Sequence, residues 1–109
     1  MMEEQEFRKR ADEALSSLHR SLSGAADHYG FEADLSSGAL AIEFEDPPAK
    51  FVVSPNTPAR QVWVSAHAKS YKLDFDAVEN TFVHPESNRS LKQLIEDMLS
   101  RQLKEEVSL

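Results

Sequence analysis

The sequence predicts an α+β fold, an antiparallel β-sheet meander flanked on one face by an N-terminal and a C-terminal α-helix. Three observations carry this. Apolar residues recur at helical spacing at both ends of the chain, they alternate at strand spacing in the middle, and short turns rich in Gly, Pro and Ser join the middle segments. The 109 residues hold material for one hydrophobic core and too little for two, so a single domain over 1–109 is expected.

The first helix is drawn by Phe7, Ala11, Ala14, Leu15, Leu18 and Leu22, which fall at spacings of three and four and form one stripe. Ser23 and Gly24 read as its stop, which bounds it at 3–23. After a loop holding Asp27 and Gly30, the sheet is expected over 31–84. Its first strand is Phe31–Leu35. Ser36, Ser37 and Gly38 turn it into a second, where Leu40, Ile42 and Phe44 face one way and Ala41, Glu43 and Glu45 the other. Asp46, Pro47 and Pro48 break that strand. Lys50–Ser54 follows, then a proline-bounded loop Ser54–Ala59 and a strand Gln61–Ala66. Tyr71–Phe75 and Thr81–Val83 bring the total to five or six. Strands joined by short turns pair as neighbours, so the sheet is a meander with one face under the helices and the other wet.

The last helix, 90–104, has a specific start. Ser90 and Gln93 are spaced as a capping box, and Leu91, Leu94, Ile95, Met98, Leu99 and Leu103 then repeat at helical spacing. Glu105–Leu109 reads as a loose tail.

Composition narrows the function classes. With 40% hydrophobic and 28% charged residues the chain is globular, not disordered. The absence of cysteine rules out disulfides and thiolate chemistry and fits a reducing compartment. Apolar runs of a few residues are too short to span a membrane. A cytoplasmic monomer is expected, or one of the mitochondrial matrix if a leader has been removed. The net charge of −7 is uneven: residues 1–46 hold eleven acids and four bases, and residues 47–109 eight of each. Such a negative face repels phosphate backbones, which argues against nucleic acid and for cations or basic protein surfaces. Gly24, Gly30 and Gly38 make no phosphate-cradling loop, and His19, His28, His67 and His84 are scattered, so no catalytic site is expected.

Two features rise above this background. Trp63, in QVWVS, either projects outward between Gln61 and Ser65 while Val62 and Val64 fill the core, or is buried in a strand covered on both faces. Asp12, Glu13, Asp27, Glu32, Asp34, Glu43 and Glu45 form either a solvated acidic face or a weak site for hard cations such as iron.

The segment VVSPNTPARQVWVS resembles the frataxin family's strand and loop, in which an asparagine- and glutamine-bearing turn, a proline, then a glutamine and a tryptophan at this spacing are the signature. The helix, meander, helix order matches too, and a gapless register runs from Phe7, Ala11 and Asp12 through Gly38, Leu40, Ile42 and Phe44 to Trp63, Tyr71 and Asp74. The resemblance implies an iron-binding regulator or adaptor of iron–sulfur cluster assembly. It would bind the cysteine desulfurase and its scaffold protein, modulate sulfur transfer, and hold Fe²⁺ or Fe³⁺ weakly. It also implies a partner face at Asn56, Gln61, Trp63 and Ser65, which favours the outward Trp63. The chain departs from the family at LHRSLSGAADH, where His19, Arg20, Ser23 and Gly24 stand in place of a row of acids. It departs again at Ser54, where asparagine is common, and at Lys69 and Ser70, where bacterial relatives often have two glycines. Iron is therefore expected at Asp12, Asp27, Glu32 and Asp34, with His19 or His28 assisting. The alternatives are an iron chaperone or ferroxidase-like store, and an interaction module unrelated to iron.

Overall fold

The computed structural model describes residues 2–45 and 47–109. The chain runs α1 (Glu4–Tyr29), β1 (Phe31–Ser36), β2 (Ala39–Glu45), β3 (Pro48–Asn56), β4 (Gln61–Ala66), β5 (Lys69–Asp76), β6 (Thr81–His84), β7 (Arg89–Ser90) and α2 (Leu91–Leu103). Each strand pairs antiparallel with the next, giving one sheet in the order β1-β2-β3-β4-β5-β6-β7. The α+β meander is thus as expected, with seven strands where five or six were read; the extra one, β7, is two residues long.

The first helix does not stop at Ser23–Gly24. It continues to Tyr29 and ends at Gly30, which takes the left-handed conformation at φ 77° and donates its N–H to Ala26 O at 2.8 Å. Ala25, Ala26 and Tyr29 pack against the core, and that burial carries the helix past a locally poor glycine. Asp27, expected in a loop, therefore stands on the last turn of α1.

The loop expected at Ser54–Ala59 is also shorter. Ser54, Pro55 and Asn56 belong to β3, and only Thr57–Arg60 turn. Proline is tolerated there because the ladder alternates: residues 49, 51 and 53 of β3 bond to β2, and β2 contributes no partner beyond Val53. An N–H at position 55 would have pointed past its end. Of the expected break at Asp46–Pro48, Asp46 lies outside the described residues, and Pro48 opens β3 instead of interrupting the sheet.

The core lies between the helices and one face of the sheet. Phe7, Ala11, Leu15, Leu18 and Leu22 of α1 and Leu91, Leu94, Ile95, Met98 and Leu99 of α2 are buried against Leu40, Ile42, Phe51, Val53, Val62, Val64, Leu73 and Phe82. Phe7 meets Phe82 edge to face, with ring centroids 5.9 Å apart. At the start of α2 both halves of the capping box are made, Gln93 N–H to Ser90 Oγ at 3.2 Å and Ser90 N–H to Gln93 Oε1 at 3.0 Å. The tail is not loose. Val107 is buried and donates its N–H to Ser100 Oγ at 2.9 Å, and Leu109 N–H reaches Glu96 Oε2 at 2.6 Å. Among the described residues no helix is long and apolar enough to cross a membrane.

Candidate functional site

Strand β4 sends side chains to the two faces in turn. Val62 and Val64 have no exposed surface and belong to the core; Gln61, Trp63 and Ser65 project from the face that no helix covers. Pairing sets their neighbours: Trp63 lies between Ser54 and Lys72, Gln61 between Asn56 and Asp74, and Ser65 between Val52 and Ser70.

These side chains are linked. The half-buried Trp63 donates Nε1–H to Gln61 Oε1 at 3.0 Å, and Gln61 Nε2 donates to Asp74 Oδ1 at 3.0 Å. The Lys72 ammonium stands 5.0 Å from the centroid of the indole ring. Each link is modest on an open surface, about 0.5–1.5 kcal/mol, but together they hold the ring in one orientation before anything binds. Asn56 works locally: its Oδ1 accepts the Ala59 N–H at 3.0 Å and shapes the turn into β4. Beyond Gln61 and Lys72 the surface falls into an open groove of about 690 Å³, with Lys69, Tyr71 and His84 on its walls.

The acidic residues are dispersed. Asp27, Glu32, Glu43 and Glu45 line one hollow of about 320 Å³ where the end of α1 meets β1 and β2. Asp12 is fifteen positions before Asp27 on the same helix, about 22 Å along its axis, and cannot share an ion with it. His19, whose Nε2 is 3.4 Å from Ser23 Oγ, and His28, stacked edge-on against Tyr29 at 4.7 Å, do not line the hollow. Asp34 lies opposite Ala41, with no acid paired to it. Among the described residues no three His, Cys, Asp or Glu side chains are gathered closely enough to hold a metal ion. The six expected ligands thus do not form one centre, and this donor set does not fit a chelated iron.

Lys72 and Asp74 complete the tryptophan face, yet periodicity alone does not single them out. The signal that finds them is the two-residue turn His67–Ala68: once Ala66 faces Lys69, Trp63 must face Lys72 and Gln61 must face Asp74. Glu43 and Glu45 join Glu32 by the same logic across the Ser37–Gly38 turn, which sets Glu32 opposite Glu43.

A family model described as a Frataxin-like domain matches residues 1–105. The iron-sulfur cluster assembly protein CyaY of Janthinobacterium sp. (strain Marseille) is 30% identical over 103 residues, covering 93% of this chain and 90% of that protein. The protein of the same name from Ralstonia nicotianae is 29% identical over 110 residues, covering 97% and 93%. Among solved structures, the frataxin from Psychromonas ingrahamii superposes with a TM-score of 0.77 over 98% of this chain and 97% of that one; at 21% identity this is a likeness of fold.

Proposed function

The chain belongs to the frataxin-like family, and from that premise we propose that it serves iron–sulfur cluster assembly as an adaptor, using the sheet face around Trp63 to bind the cysteine desulfurase–scaffold complex and modulate sulfur transfer. The observation that carries this reading is the pre-set indole. Trp63 is withheld from the core, which Val62 and Val64 fill, and is fixed by Gln61 and flanked by Lys72 on an uncovered face. Holding an amphipathic aromatic ready in that way lowers the ordering cost of binding, as expected of an interface anchor.

Iron enters this proposal as loosely held cargo. The hollow of Asp27, Glu32, Glu43 and Glu45 favours cations by its field, but open carboxylates leave an ion most of its water. The cytoplasm is the proposed workplace.

Trp63→Ala tests the reading. Melting should shift by only a few degrees, and binding to the purified desulfurase–scaffold complex should weaken by about 2 kcal/mol, roughly thirtyfold. A stable variant that binds normally would remove this face from the mechanism.

A further inference from the structure

The two ends of the sheet are finished differently. At one end β7 is two residues long and runs straight into α2. At the other, β1 keeps six residues and pairs on one side only.

The hairpin determines which backbone groups of β1 are left over. Its two-residue loop, Ser37–Gly38, makes Ser36 and Ala39 a hydrogen-bonded pair, and the ladder alternates from there to Asp34 with Ala41 and Glu32 with Glu43. The N–H and C=O of Ala33 and Leu35 therefore point away from β2. Neither residue makes a further backbone hydrogen bond among the described residues, and both remain partly exposed.

Side chains decide what can take up those groups. Ala33 and Leu35 pack inward against the core, while Glu32 and Asp34 are exposed on the outer face. A second copy of this strand would bring carboxylates against carboxylates, so the edge resists self-pairing. A strand of opposite pattern meets no such barrier. We propose that β1 is an acceptor edge for an extended segment of a partner protein in which basic and apolar residues alternate, added antiparallel as an eighth strand. Residues opposite Ala33 and Leu35 carry the apolar side chains and turn their own N–H and C=O towards β1. Residues opposite Glu32 and Asp34 carry lysine or arginine. This edge is separate from the tryptophan face: β1 lies three strands from β4, about 14 Å at the usual strand spacing, and the proposal stands or falls without Trp63.

The test uses the full chain, ¹⁵N-labelled, titrated with the capped hexapeptide Lys-Val-Lys-Val-Lys-Val. Amide exchange at Ala33 and Leu35 should slow on binding. Methylating the backbone nitrogens of the valines removes the donors that face β1 and should weaken binding by roughly tenfold or more. Methylating those of the lysines, on the far edge, should change it by less than about twofold. Glu32→Gln combined with Asp34→Asn should also cost roughly tenfold while the amide spectrum of the rest of the chain is retained. Equal loss from both methylated peptides, or binding without protection of Ala33 and Leu35, would mean that the peptide merely adheres to negative charge and would overturn the proposal.

Discussion

His67 Nε2 lies 3.1 Å from Gln102 Oε1, a hydrogen bond that joins the β4–β5 turn to the last turn of α2. Gln102 uses its other end as well, donating Nε2–H to Pro47 O at 3.0 Å, and it is the one polar side chain among the buried residues described. One amide thus ties the end of a helix to two hairpin ends. Gln102→Ala removes both bonds and leaves the Pro47 carbonyl without its donor, so it should cost about 1–3 kcal/mol in a denaturant titration. A loss within experimental error would show that water replaces the amide freely.

Two substitutions of opposite kind should each stabilise the protein. Gly24 sits in the interior of α1, where an added methyl meets nothing within 4 Å. Gly24→Ala should gain about 0.5–1 kcal/mol. Ala68 closes the β4–β5 turn at φ 63°, a conformation that costs an L-residue about 1–2 kcal/mol. Ala68→Gly recovers part of that against the extra freedom of glycine in the unfolded chain, a net gain of about 0.5 kcal/mol. Thermal melts of the two single variants and the double variant check this, with the gains additive because the sites are independent.

Val107 holds the tail to α2 and is only 4% exposed. Val107→Ala deletes two buried methyl groups and should cost about 1–2 kcal/mol. Hydrogen exchange should then quicken at the amides of residues 107 and 109, which bond to Ser100 and Glu96. An unchanged melting temperature would return the tail to the status of an ornament.

Cobalt(II), followed by backbone NMR, should perturb residues around Asp27, Glu32, Glu43 and Glu45 before those around Asp12. The effect should fade as salt is raised, because exposed charges are screened over about 8 Å at physiological ionic strength. Perturbation centred on α2 would contradict the proposed location of the cation field.

The parts of the fold legible in the sequence are those where local pattern and burial agree. The stripe from Phe7 to Leu22, the alternation of Leu40, Ile42 and Phe44, and the Ser90–Gln93 box all reappear in the structure. Elsewhere local chemistry and tertiary context disagree, and context prevails. Gly24 is a poor helix residue, but the burial of Ala25, Ala26 and Tyr29 outweighs its cost of about 1 kcal/mol. Pro55 is a poor strand residue, but its missing donor faces no acceptor. Val107 is isolated in sequence, without periodic apolar neighbours, and its burial depends on a tertiary pocket that no local pattern announces. At the site, alternation sets the side on which Trp63 emerges, whereas its contacts with Gln61 and Lys72 depend on strand register. The expected iron ligands failed to converge for a geometric reason: Asp12 and Asp27 share a helix, and a helix separates residues that its sequence keeps apart.

The order of the strands bears on how quickly the protein assembles. In a meander every strand finds its partner across one short turn, so the sheet requires few distant encounters for its size. Zipping can begin at any hairpin, and two-residue turns such as Ser37–Gly38 and His67–Ala68 close very small loops. The slow event left over is the arrival of α1, whose Phe7 must reach Phe82 from the other end of the chain. Refolding should therefore show early protection in β2 to β5 and late protection in the first turns of α1.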